Sequence, residues 1–233
     1  MIHLKFSPEW FYLPSTIIDF FSFIVILSIS IISLRYYRLN KLNKKYYYLA
    51  FSFFLICLSF LFKIITNLTV YYDQISPSNN PVIIKTAVDT IIGYNIFSHL
   101  TFAAFALLNL LGLYYLYSTY QKEQSKSSIF LIGYFILITT YFSHLDYYIF
   151  HITALILLSL ITTLYVKKYG INKYKNTMLL AYSFGIIALS QIFFIFTTIG
   201  KLFYVVGEIV QLGGYALLLL VLRRAIKYGK KAE

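Results

Sequence analysis

Seven runs of mostly apolar residues divide this chain, and a run of about 20 such residues is long enough to cross a bilayer as a helix. They cover roughly residues 15–37, 46–69, 89–118, 128–145, 147–166, 176–198 and 202–223. In hydrocarbon the backbone must satisfy its own hydrogen bonds, so spans of this kind are helical. The expected fold is therefore all-α: a polytopic membrane protein of seven transmembrane helices in a single domain. Composition agrees, because 60% of the residues are hydrophobic and only 12% are charged. A soluble domain carries about 25% charged residues. That balance excludes a soluble enzyme, a disordered tail and a nucleic-acid module. No basic stretch precedes the first run, which reads as a span rather than a cleaved leader. Cys57 is the only cysteine, which excludes an intrachain disulfide and a thiolate metal cluster.

The net charge of +12 sorts by loop. Arg35, Arg38, Lys41, Lys44 and Lys45 flank the first connection, Lys122 and Lys126 the third, and Lys167, Lys168, Lys173 and Lys175 the fifth. Arg223, Arg224, Lys227, Lys230 and Lys231 fill the tail, leaving Lys5, Lys63, Lys85 and Lys201 for the opposite side. Cytoplasmic loops hold excess Lys and Arg, so the expectation is N-terminus out and C-terminus in, in the cell membrane. Anionic lipid is then the expected partner of the basic edge, including the tail 224–233.

Helix two and helix six resemble one another. Residues 49–67 and 180–198 share 10 identities over 19 positions without a gap, among them Ser52/Ser183, Ser59/Ser190 and Thr66/Thr197. The same offset of 131 pairs Leu27-Ser28 with Leu158-Ser159 on helices one and five. Helices three and seven align less well, and the register suggested there sets His99 against Glu208. The pattern predicts a parallel internal repeat, helices 1–3 over residues 15–118 and helices 5–7 over 147–223, joined by helix four at 128–145.

A 3+1+3 arrangement with its N-terminus outside resembles the superfamily that groups SWEET and PQ-loop transporters with microbial rhodopsins. The resemblance is one of architecture and spans nearly the whole chain. It implies a parallel-repeat membrane fold and, on the transporter side, a solute site between the repeats. Retinal is not expected, since Glu208 to Leu222 contains no lysine and Lys201 sits at the outer mouth; no Pro-Gln dipeptide is present either.

An ionisable side chain within a span costs about 2.5–3.5 kcal/mol on insertion scales and needs a reason to be there. Asp19, Lys63, Asp89, His99, His144, Asp146, His151, Lys201 and Glu208 all map to the outer half. Tyr204, Glu208, Gln211 and Tyr215 fall on one helical face by their spacing of four, three and four, and Asn95 and His99 share another. Ser59 and Lys63 on helix two face the way Ser190 does on helix six, where Gln191 follows. A pocket between the repeats, open to the outside, would collect these groups, with Lys63 as the partner of Glu208 or Asp19. The plainer readings are serines that only glue helices, a lysine that snorkels to the headgroups and glycines that only permit close packing.

His144, Asp146 and His151 crowd the short turn between helices four and five, and with His99 they suggest a zinc site, although their spacing fits no zinc motif. No other cofactor is expected. Three functions follow: a carrier of a small external solute, a receptor-like module that signals through a homo-oligomer or membrane partner, and a metal-dependent membrane hydrolase. The carrier is the favoured expectation.

Overall fold

The computed structural model describes residues 7–39, 41, 44–75, 84–121, 126–143 and 147–229. Seven α-helices account for nearly all of them: α1 Tyr12–Leu39, α2 Lys45–Ile75, α3 Ile84–Tyr120, α4 Lys126–Ser143, α5 Tyr147–Asn172, α6 Lys175–Ile195 and α7 Leu202–Gly229. A short 3-10 turn, Glu9–Phe11, leads into α1, and another, Phe196–Thr198, extends α6 toward the Gly200-Lys201 turn. Six helices are long and apolar enough to cross a membrane. In α4 the described apolar stretch, Ile132–Ser143, is shorter than such a span.

Helix α1 shows why these helices suit a lipid surround. Its buried face carries Ser15, Asp19, Ser22, Ser30 and Ser33 beside Ile26 and Ile29, whereas Phe20, Phe21, Ile24 and Ile31 are exposed. The interior face is the more polar one, the reverse of a water-soluble helix, and the outward face is a surface for hydrocarbon chains. Buried hydroxyls are satisfied mostly along their own helix; Ser33, Ser52 and Ser183 each donate to the carbonyl four residues earlier. The basic residues Arg35, Arg38, Lys44, Lys45, Lys167, Lys168, Lys175, Arg223 and Arg224 are exposed at the opposite end of the bundle from Asp19, Lys63 and Glu208.

Helices α1, α2 and α3 pack in succession, as do α5, α6 and α7. These two groups meet where α1 lies against α7 and α3 lies against α5, and α4 packs across the α3/α5 junction. Interchanging the two groups leaves the contacts among these six helices unchanged, and α4 alone breaks the correspondence.

Burial follows the same correspondence. On α2, Ala50, Ser52, Phe53, Ile56, Cys57, Ser59, Phe60, Lys63 and Thr66 are buried; 131 residues on, so are Ala181, Ser183, Phe184, Ile187, Ala188, Ser190, Gln191, Phe194 and Thr197. On α1 and α5 the matching offset is 132 rather than 131, pairing buried Ser15, Asp19, Ser22, Ile26, Ile29 and Ser33 with buried Tyr147, His151, Ala154, Leu158, Ile161 and Tyr165. One residue turns a helix by about 100°, so this step decides which face is compared.

The register of α3 against α7 also differs from the one the sequence suggests. A Cβ on Gly112 would lie 2.6 Å from Ile56 Cγ1 and 2.9 Å from the Ser52 carbonyl oxygen. On Gly214 it would lie 2.5 Å from Ile187 Cγ1 and 3.3 Å from the Ser183 carbonyl oxygen. Both glycines let the backbones of neighbouring helices approach, each against the serine and isoleucine that the 131 offset equates. By these contacts Gly112 takes the place on α3 that Gly214 takes on α7, and Asn109 that of Gln211, a register other than His99 against Glu208.

Candidate functional site

The charged residues on α1, α2 and α7 converge on one nitrogen. Lys63 Nζ on α2 lies 2.7 Å from Asp19 Oδ1 on α1 and 2.6 Å from Glu208 Oε1 on α7. Asn67 Nδ2, one turn beyond Lys63, donates to the other oxygen of Asp19 at 2.8 Å. The cluster is interior: Asp19 is 0%, Glu208 1% and Lys63 8% exposed. The rings of Phe60 and Phe194 flank the ammonium with centroids 5.6 Å and 5.9 Å away. Nearer the start of α1 and α7, Tyr204 and Ser15 join their hydroxyls at 3.2 Å across the junction of the two groups. A charge pair this enclosed contributes little net stability, yet it fixes which faces of α1, α2 and α7 meet.

Below Lys63 a cavity of about 20 Å³ sits between α2, α3, α5, α6 and α7, room for about one water molecule. Lys63, Asn109, His151, Gln191, Gln211 and Tyr215 supply polar lining, and Phe53, Phe60, Phe105, Phe150, Phe184 and Phe194 make up half of the rest. His151 Nδ1 and Gln191 Oε1 are 2.7 Å apart. The amide of Gln191 is oriented by its nitrogen, which donates to Ser190 Oγ at 3.2 Å and to the Ile187 carbonyl at 3.5 Å. A carbonyl only accepts, so Gln191 Oε1 faces the imidazole and Nδ1 of His151 is the donor. The neutral ring then carries its lone pair on Nε2, which is buried and has no hydrogen-bond partner. Phe194 stacks on the ring at 4.7 Å, and Tyr147 and Phe150 meet it edge-on. On α3, Asn109 donates to Ser59 at 3.2 Å.

Of the residues expected at a site, Asp19, Lys63, Tyr204 and Glu208 form its charged end, and Gln191, Gln211 and Tyr215 line the cavity. Ser59 and Ser190 stand behind it as hydrogen-bond partners of Asn109 and Gln191. The sequence suggests a pocket open at the outer mouth, whereas these groups are enclosed. His99 is on α3 and does not line the cavity; Asn95 lies in α3 with its side chain outside the described set. His144 and Asp146 lie outside the described residues. His151 is not in the turn between α4 and α5 but in the core, on the face of α5 that carries Ala154 and Leu158. Among the described residues no three metal-ligating side chains gather, so none supports the zinc expectation.

Asn67, Asn109, Tyr147 and Ser15 are the participants that sequence reasoning missed. The signal for Asn109 was Gly112 three residues on, which corresponds to Gly214 three residues after Gln211.

Long apolar helices with their charged side chains turned inward define a multi-pass helical membrane protein. Comparison with protein-family models, curated proteins and solved structures finds no match for the chain.

Proposed function

We propose that this protein is a carrier of a small polar solute, built as two related three-helix units joined by α4, with its solute site at their junction. The observation that carries this reading is the Lys63 cluster, which draws Asp19 from one unit and Glu208 from the other onto a single nitrogen. Charges that cost this much to enclose are worth keeping where two bodies must separate and rejoin. The enclosed cavity beside Lys63 is the occluded form of the site, and opening at the α1/α7 junction gives access from one side. The matching burial of α1–α3 and α5–α7 supports a parallel 3+1+3 repeat. The distribution of basic side chains supports an N-terminus outside and a C-terminus in the cytoplasm of a cell membrane.

A receptor-like module is the second reading, favoured by the apolar packing beyond the cavity, where Leu116, Ile161 and Leu218 are buried. Purified protein in liposomes, offered a panel of small polar solutes, separates the two. The carrier takes up at least one of them; a protein that is stabilised by an external ligand but takes up none is the receptor.

A further inference from the structure

The charge cluster is unbalanced as built. It contains one ammonium and two carboxyl groups, all but closed off from the surface. With both carboxyls ionised the interior holds a net negative charge, which a low-dielectric surround penalises. The groups around them supply no second cation. From α2 come Lys63 and the neutral amide of Asn67, from α7 the phenol of Tyr204, and from α5 the phenol of Tyr147. His151, also on α5, has its ring against Phe194 and Tyr147 and its Nδ1 proton on Gln191. Among the described residues no other lysine or arginine pairs with either acid.

Geometry offers one way to balance the charge. Asp19 Oδ1 and Glu208 Oε1 both accept from Lys63 Nζ, at 2.7 Å and 2.6 Å, which holds the two carboxyl groups side by side. Two ionised carboxylates have four acceptor sites and no donor between them, so a bond from one to the other requires a proton on one of the pair. Both oxygens of Asp19 already accept, from Lys63 and from Asn67. On Glu208 only Oε1 is engaged by Lys63, which leaves its second oxygen to carry the proton.

We propose that Asp19 and Glu208 together bind one exchangeable proton, held while the two units are closed and released when the α1/α7 junction opens to water. It deepens the carrier reading, since it names the coupling ion of that same site. The proton makes the closed cluster neutral, and water, which solvates a free carboxylate, removes the need for it. Closing around solute then takes up one proton and opening gives it back.

Infrared spectroscopy of the full chain in lipid at pH 7 tests this without any solute. The wild type is expected to show the carbonyl stretch of a protonated carboxylic acid, and Asp19→Asn and Glu208→Gln are each expected to lose it. Each variant keeps one carboxylate for one ammonium, so both retain a balanced cluster, and helix content by circular dichroism reports their folding. A wild type without the band overturns the proposal, as does a band that survives either substitution. Stabilisation of the wild type by sodium chloride but not by a bulky organic chloride also overturns it, in favour of a metal cation. A missing band leaves solute uptake in liposomes unaffected, and missing uptake leaves the band unaffected, so the two readings fail separately.

Discussion

Asp19 and His151 hold matching places on α1 and α5, and each packs on the residue of the next helix that the 131 offset equates. Asp19 grips Lys63 at 2.7 Å, while His151 stacks on Phe194 at 4.7 Å. On the third helix, Glu208 of α7 corresponds to Ala106 of α3. One corner of the bundle is thus charged and its counterpart is aromatic and neutral, with the cavity between them. The asymmetry gives the junction at α1/α7 a polar seam that the junction at α3/α5 lacks, where Phe105 packs on Phe150. Water enters a polar seam far more readily than an aromatic one, so the first is the expected gate and the second the hinge.

Lys63→Met strands two carboxyl groups in the interior. Removing one partner of a buried pair costs about 3–5 kcal/mol, so a large drop in thermal midpoint is expected in detergent or lipid. Adding Glu208→Gln and Asp19→Asn removes the stranded charges, and the triple variant should recover most of the loss. A Lys63→Met protein as stable as the wild type would contradict the enclosure of this cluster.

The adjacent glycines of α7 should behave oppositely. Gly214→Ala places a methyl group 2.5 Å from Ile187, and Gly112→Ala places one 2.6 Å from Ile56. Overpacking of this kind costs about 1–3 kcal/mol. Nothing lies within 4 Å of a Cβ on Gly213, and Gly213→Ala should be neutral or slightly stabilising. Thermal unfolding of the three variants checks the order.

The hydrogen-bond chain through Gln191 fixes the imidazole tautomer of His151. Nitrogen NMR of protein labelled at histidine should show a resonance for the Nδ1–H form, with an unprotonated Nε2. In Gln191→Leu that resonance should give way to a mixture of tautomers. A wild-type spectrum dominated by Nε2–H would mean that the amide is turned the other way.

Orientation has a simple readout. Cys57 is buried and should not react with an impermeant maleimide. Introduced at exposed Lys201, a cysteine should label from outside intact cells. At exposed Lys41 or Lys173 it should label only after the membrane is opened. The reverse pattern would invert the topology.

Much of the helical layout was legible in the sequence, because hydrocarbon demands long apolar runs and tolerates charge at few places. The apolar runs begin within three residues of α1, α2, α5, α6 and α7 and end within six. Lys63 was legible as the partner of Glu208 or Asp19, since a lysine inside a span needs an acid; that it meets both at once was not. His151 was not legible as a core residue. It follows His144 and Asp146 closely in sequence, and a run starting at 147 does not tell which face of α5 meets α6. The matching places on α3 and α7 were hidden because their side chains differ: Ala106 stands where Glu208 does and Leu113 where Tyr215 does. What persists there is backbone contact at Gly112 and Gly214, which few identities betray. That the pocket is shut was also beyond the sequence, because periodicity tells which faces are polar and not how closely they meet.

The central claim is that the junction between the two units is a transport site, and uptake by single-site variants in liposomes tests it most directly. Wild-type protein should take up a small polar solute, Glu208→Gln should lose that uptake while remaining folded, and Lys201→Gln, an exposed change at the same end, should leave it unchanged. Uptake by Glu208→Gln at the wild-type rate would contradict the account.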